Sequence, residues 1–221
     1  MNLFLLRLKT SLEAFWEYLK VVLRYYRYPR FRRLDLKLLS KYLFKSPFTI
    51  SKHYCQMKGS REIYVYGETP LTTLAGIFQR AGVSKADTVF DLGCGRARSC
   101  LWLNGVIGCK AVGIEIIPEF VEKAPKNISG LEFRCEDMAT ADFTGGTLFY
   151  LYGNFLSDET LFVVAKKLEK LPYGTKVISI SFPMTDYSSA FTIIDTFEAS
   201  FPWGRAEVYI SSLVFKEKIV E

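Results

Sequence analysis

The most constraining stretch of the chain is Thr88-Val89-Phe90-Asp91-Leu92-Gly93-Cys94-Gly95-Arg96-Ala97-Arg98, an apolar run that passes through two glycines into a helix-forming segment. A strand, a glycine turn and a helix in immediate succession turn backbone N–H groups toward a ligand at the first switch point of an α/β sheet. By itself a Gly-x-Gly turn is only a tight turn. Three acidic features give this one chemical content. Asp91 sits just before the turn, where an acid would face a cationic cofactor. Glu115 ends an apolar run twenty residues after Gly95, a spacing from which a carboxylate can accept from both hydroxyls of a ribose. Glu136-Asp137-Met138 follows the next apolar run, where an adenine amino group would find an acceptor. A nicotinamide fingerprint fits poorly, because Arg98 holds the position of its third glycine, and the Walker pattern is absent.

From Glu62 onward strand and helix patterns alternate. The runs 88–93, 111–116, 131–135, 147–152 and 176–182 read as strands, and 70–81, 97–105, 118–125 and 158–170 as helices. Such alternation predicts an α/β fold with a doubly wound, mostly parallel sheet. The end differs: 191–200 and 206–216 are two strand-like runs around Phe201-Pro202-Trp203-Gly204-Arg205, which predicts a C-terminal antiparallel hairpin. At the other end, residues 3–28 read as one amphipathic helix. Phe4, Leu5, Leu8, Leu12, Phe15, Trp16, Leu19, Val22, Leu23 and Tyr26 fall on one stripe, with Lys9, Glu13, Glu17, Lys20, Arg24 and Arg27 opposite. The helix must stop near Tyr28-Pro29, since a residue before proline leaves helical geometry. A basic connector (Arg30, Arg32, Arg33) and a helix over 35–44 follow. The chain thus divides into a helical N-terminal extension, 1–61, and a cofactor-binding domain, 62–221.

Charge follows the same boundary. Residues 1–61 carry 14 Lys and Arg against three acids, whereas residues 62–221 carry 15 against 20. The first segment therefore meets something acidic: nucleic acid, an anionic membrane or an acidic protein face. Packing against its own domain or forming a homodimer are the blander uses of it. The five cysteines form no CxxC pair and point to a reducing cytoplasm. With a single histidine, His53, no two-His metal site can form. No apolar run reaches the roughly 18 residues of a membrane span, and the apolar start before Arg7 is too short for a signal peptide.

Upstream of the turn lies Tyr66-Gly67-Glu68-Thr69-Pro70-Leu71, which on its own reads as a helix start with a Thr69 cap and Pro70 in the first turn. Together with Asp91-Leu92-Gly93-Cys94-Gly95 and Val112-Gly113-Ile114-Glu115 it resembles the class I methyltransferases, and among them the Dot family of non-SET histone-lysine methyltransferases. Ala97 replaces the third glycine of that family's motif, a small intrusion expected to tune affinity. Gly153-Asn154-Phe155 resembles the family's Asn-Asn-Phe, Ser181-Phe182-Pro183 the end of its fifth strand, and Trp203 with Tyr209 a pair near its lysine channel. The resemblance spans about residues 62–216, is specific in the cofactor half and looser in the substrate half. The short mitochondrial lysine methyltransferases look similar too.

The resemblance implies S-adenosylmethionine as cofactor and S-adenosylhomocysteine as product. It assigns the cofactor to Tyr66, Gly67, Glu68, Thr69, Asp91, Leu92, Gly93, Cys94, Gly95, Arg96, Ala97, Glu115, Asp137 and Met138. It assigns Asn154, Phe182 and Tyr209 to the catalytic side. The partner it implies is a protein with a target lysine, chromatin-like and basic in the family's own case. Two other acceptor classes stay open: a small molecule or lipid, with residues 1–61 peripheral to a membrane, and a nucleic acid reached by the same basic arm. The chain lacks the Asn-Pro-Pro-Tyr motif of base aminomethylases.

Overall fold

One mixed sheet of seven strands organises the fold, in the order β3-β2-β1-β4-β5-β7-β6. The computed structural model describes residues 3–214 apart from 61, 64 and 153–155, with side chains from Ser11 onward. Strands β1 (Thr88–Leu92), β2 (Lys110–Glu115), β3 (Leu131–Cys135), β4 (Leu148–Leu151) and β5 (Lys176–Ile180) run parallel. β1, β4 and β5 are buried on both faces almost throughout, which is why they read as continuous apolar runs. The hairpin of β6 (Phe191–Phe201) and β7 (Gly204–Leu213) completes the sheet, with β7 antiparallel to β5. Strand order reverses between β1 and β4, so the ligand-binding crevice of such a sheet lies at their carboxyl ends.

The helices are α1 (Leu3–Tyr25), α2 (Pro29–Ser40), α3 (Pro47–Met57), α4 (Leu71–Arg80), α5 (Arg98–Trp102), α6 (Pro118–Lys123) and α7 (Asp158–Leu168), and α5 continues into a π-type turn over Leu103–Ile107. One face of the sheet is covered by a cluster containing Leu74, Phe78, Leu101, Trp102 and Ile178. The other packs Phe90, Phe149, Val164, Leu168 and Met184. Val21, Phe31, Leu34, Leu38 and Ile50, all from the first 61 residues, belong to the first cluster and are buried. Phe31 meets the π turn tightly: a Cβ on Gly105 would lie 2.7 Å from the Phe31 Cα, so no larger residue fits there without a backbone shift. Among the described residues no helix is long and apolar enough to cross a membrane.

Three expectations for the N-terminal segment need correction. The basic stretch Arg30–Arg33 is not a connector but the first turn of α2, which starts at Pro29. Proline is tolerated at a first helical position, where its missing N–H has no partner to lose, and Tyr28 before it is extended as required. Helix α3 has no counterpart in the pattern reading. Its start is nonetheless written in Ser46-Pro47, the Ser46 hydroxyl accepting from the Thr49 N–H at 3.2 Å. Finally, Glu17 does not lie on a solvent face. Its carboxylate accepts from the Thr72 N–H at 3.0 Å and the Thr72 hydroxyl at 2.7 Å, capping the start of α4, where the N-cap residue, Pro70, offers no side-chain acceptor.

Candidate active site

Four chain segments converge at the carboxyl ends of β1 and β4. The first is the turn after β1. Gly93 and Gly95 adopt φ of +87° and +52°, and the Gly93 and Cys94 N–H groups both donate to the Ile114 carbonyl, at 2.8 and 3.1 Å. The turn is therefore pinned to β2. Leu92 and Cys94 are buried beneath it. Ala97 follows at φ +70°, buried, as the residue before α5. A residue other than glycine carries a left-handed backbone penalty at this position.

The second segment is the end of β2. Glu115, 6% exposed, accepts from the Gly95 N–H at 2.7 Å with one oxygen and from the Ile117 N–H at 2.9 Å with the other. Burial raises its carboxyl above the usual range, and these backbone donors oppose the rise. Below the turn Asp91, 4% exposed, accepts from the Ser99 hydroxyl. Burial, with the charge of Glu115 adding to it, pushes the Asp91 carboxyl up to about 7 against the Ser99 bond. Both acids have neutral donors only; among the described residues neither forms an ion pair. A buried acidic pair without a cation is costly, and a positively charged ligand over the turn would relieve it.

The third segment caps the turn. The Tyr66 ring lies where a Gly95 side chain would be, its Cε2 3.0 Å from an added Cβ. Phe48 of α3 and Phe120 of α6 flank that ring, each with its centroid 5.2 Å away. The Tyr66 hydroxyl donates to Glu68, and Arg96 grips both Glu68 oxygens at 2.5 and 2.6 Å. Burial alone would raise the Glu68 carboxyl, but the Arg96 fork holds it below its ordinary value. Thr69 does not cap α4 as its sequence position suggests. Its hydroxyl instead bonds the Tyr150 hydroxyl on β4 at 2.5 Å. Gly67 lies against Tyr152, whose Cε1 would be 3.3 Å from an added Cβ. The cap is thus tied to the turn through Arg96 and to β4 through Tyr150 and Tyr152.

The fourth segment follows β3. Asp137 turns its own chain, its carboxylate accepting from the Ala139 N–H at 2.8 Å, and the Met138 Cε stands 3.7 Å from where a Gly93 side chain would begin. All fourteen residues assigned to the cofactor therefore lie on these four segments. α3, which pattern reading missed, brings Tyr54 close by, and burial with the neighbouring charges of Cys135, Glu115 and Asp137 raises its hydroxyl above the ordinary value. A cavity of about 760 Å³ opens beside it, walled by Ile50, Tyr54, Met57, Ile117 and Pro118.

Of the residues assigned to the catalytic side, Phe182 and Tyr209 are described. Asn154 lies outside the described residues. Phe182, just past β5, packs edge-on against Tyr187. Trp203 and Tyr209 part company. Trp203 stacks on Phe201 with centroids 5.3 Å apart, and its indole N–H donates to the Tyr152 hydroxyl at 2.5 Å, beside Gly67. Tyr209, paired with Ser179, bonds Glu207 instead. It alternates with Val208 and Ile210, which belong to the same core face as Phe201.

The family model described as histone methylation protein DOT1 matches residues 52–167. An RNA methyltransferase from Salinibacter ruber in complex with S-adenosyl-L-homocysteine superposes with a TM-score of 0.57 at 28% identity, over 70% of this chain and 100% of that one. TrmN from Thermus thermophilus gives 0.56 at 12% identity, over 64% of this chain and 48% of that one. A geranyl diphosphate methyltransferase in complex with SAM gives 0.54 at 13% identity, over 65% and 85%. The last two show the fold alone. Comparison with curated proteins returns no match. Since the matched segment runs from α3 through the cap, the glycine turn and both buried acids to α7, the chain belongs to the DOT1 histone-methylation family and is a Rossmann-like, S-adenosylmethionine-dependent methyltransferase.

Proposed function

We propose that this chain methylates the side-chain amine of a protein lysine. The observation that carries the reading is the junction of Tyr152, Phe201 and Trp203 with the cap at Gly67, an aromatic wall directly beside the turn. In this proposal the backbone of Gly93 and Gly95, Glu115, Asp137 and Met138 would hold the nucleoside, and Asp91 with the cap Tyr66–Thr69 the charged end. S-adenosylmethionine, when bound, supplies a methyl group on a positively charged sulfonium. The protein's task is then mainly proximity and orientation. A lysine must also shed a proton from an amine whose reference pKa is about 10.4. Tyr152 and Trp203 would strip water from the ammonium and lower that value. Asn154, directly after β4 in the chain, is assigned the acceptor contact, with Phe182 and Tyr209 on the catalytic side. No metal or histidine base is needed.

The family description, histone methylation, supports a protein acceptor. A nucleic-acid acceptor draws support from the RNA methyltransferase likeness and from the basic first segment. Incubating cell lysate with the enzyme and S-adenosylmethionine labelled in its methyl group separates the two. Label in methyl-lysine peptides by mass spectrometry is the expected result. Label that nuclease releases, or that extracts into organic solvent, would overturn the lysine reading.

A further inference from the structure

Helix α1 carries two apolar faces, and only one is in use. It docks through Val21, fully buried, together with Tyr25, which packs edge-on against Trp102, and Glu17 on the start of α4. Turning about 100° per residue, these three lie within roughly 40° of one direction. Leu12, Phe15, Trp16, Leu19 and Leu23 fall within roughly 60° of the opposite direction. There Leu12 is 50% exposed, Phe15 58%, Trp16 56% and Leu23 73%. The aromatic-rich stripe read from the sequence therefore points away from the domain.

We infer that this stripe is a membrane-surface anchor that lies in the headgroup region of an anionic bilayer. Its composition of Leu, Phe and Trp is that of an interfacial helix, and at 23 residues α1 is long enough to span but too charged to do so. Exposed cations lie near it: Lys20 along one edge with Arg24 beyond it, and Arg27 in the turn that follows the helix. Charge argues against a second copy as the occupant. Residues 1–61 carry 14 basic residues against three acidic ones, and pairing two such segments would bring like charges together, whereas anionic lipid is complementary to them. Partition of the apolar side chains and attraction of the cations then act on the same edge of the molecule.

The test uses the full chain with vesicles of phosphatidylcholine alone and of equimolar phosphatidylcholine and phosphatidylglycerol. Expected are co-flotation with the anionic vesicles only, release by high salt, and a blue shift of tryptophan emission that Trp16→Phe removes while Trp102 and Trp203 remain. The triple variant Phe15→Ser, Trp16→Ser, Leu23→Ser should lose about a hundredfold or more in partitioning. Because these side chains touch solvent, its melting temperature and S-adenosylmethionine binding should stay at the wild-type values. Lys20→Glu with Arg27→Glu should weaken binding in the same way, most strongly at low salt. The inference is overturned if the wild type ignores anionic vesicles, or if the variants bind as well as it does. It is overturned equally if sedimentation shows a dimer that the triple variant abolishes, which would assign the stripe to a second copy.

Discussion

Replacing Asp91 by asparagine should separate folding from ligand binding, with a size set by the environment of its carboxyl. The side chain is 4% exposed and is pushed from 3.8 up to about 7, chiefly by burial. Between those two values the folded chain holds a proton that the unfolded chain has released. The unfolded state then binds fewer protons, so the stability of the unliganded protein falls as pH rises through this window. The whole window corresponds to about 4 kcal/mol, of which about 2.5 kcal/mol falls between about pH 5 and pH 8. An asparagine in this place would still accept from the Ser99 hydroxyl but has nothing to ionise. Whatever its amide costs is independent of pH and cancels when the variant is compared with wild type at two pH values. Urea unfolding of both proteins at each pH is the assay. The wild type should lose roughly 2.5 kcal/mol more than Asp91→Asn on going to the higher pH. A cationic ligand should reverse the preference, binding the wild type with proton release near neutral pH and binding the variant weakly. Parallel pH slopes for the two proteins would refute the idea that this acid is held under strain for a cation.

Ala97→Gly should raise stability by about 0.5–1 kcal/mol, because alanine at φ +70° carries a left-handed penalty that glycine lacks; thermal unfolding would read it, and a lower melting temperature would exclude strain at this site. Arg98 donates to both oxygens of the fully buried Asp35 at 2.7 and 2.9 Å, so Arg98→Ala or Asp35→Ala alone should cost about 3–5 kcal/mol. The pair Asp35→Leu with Arg98→Met should recover most of that loss, and additive losses in the double-mutant cycle would show that the two do not act together. Arg96→Lys keeps the charge but not the fork on Glu68, so the Tyr66–Thr69 cap should be cleaved faster by protease and the KM for S-adenosylmethionine should rise about tenfold, with kcat less affected. Unchanged cleavage and KM would mean that the fork does not hold the cap.

The parts of the fold legible in the sequence are those where a single physical signal dominates. β1, β4 and β5 are buried on both faces and so could be read as apolar runs, and the terminal hairpin could be read as two strand-like runs on either side of Pro202-Trp203-Gly204. The cofactor side was legible because glycine and acid spacing are local: the turn, Glu115 and Asp137 each sit at a strand end whose place follows from the fold. Contacts across the chain were not. Thr69 looks like a cap, and only the position of Tyr150, 81 residues away, shows that its hydroxyl serves to tie the loop to β4. Trp203 and Tyr209 were paired by the family resemblance alone. Their six-residue separation spans the turn and the strand pleat, which carries one to Tyr152 and the other to Glu207. α3 was missed because its stripe is weak and its role, burying Ile50 and setting Phe48 against Tyr66, is a tertiary fact.

The first segment shows how far net charge alone can mislead. Its composition is strongly basic, which points outward to an acidic partner, yet α2 is built into the core through Phe31, Leu34 and Leu38. The resolution lies in where the few acids go. Of the three in residues 1–61, Asp35 is fully buried against Arg98 at the start of α5, and Glu17 caps α4. The segment thus docks through its negative charges onto helix starts and an arginine beside the cofactor turn, which leaves its exterior more cationic than its sequence average. Arg24, Arg27, Arg30, Arg32 and Arg33 are all exposed. The two sets of charges should answer to salt differently. Buried pairs are screened little, whereas exposed charges are screened over about 8 Å at physiological ionic strength. Raising salt should therefore release whatever the outer face holds while the helices stay docked and the turn stays formed.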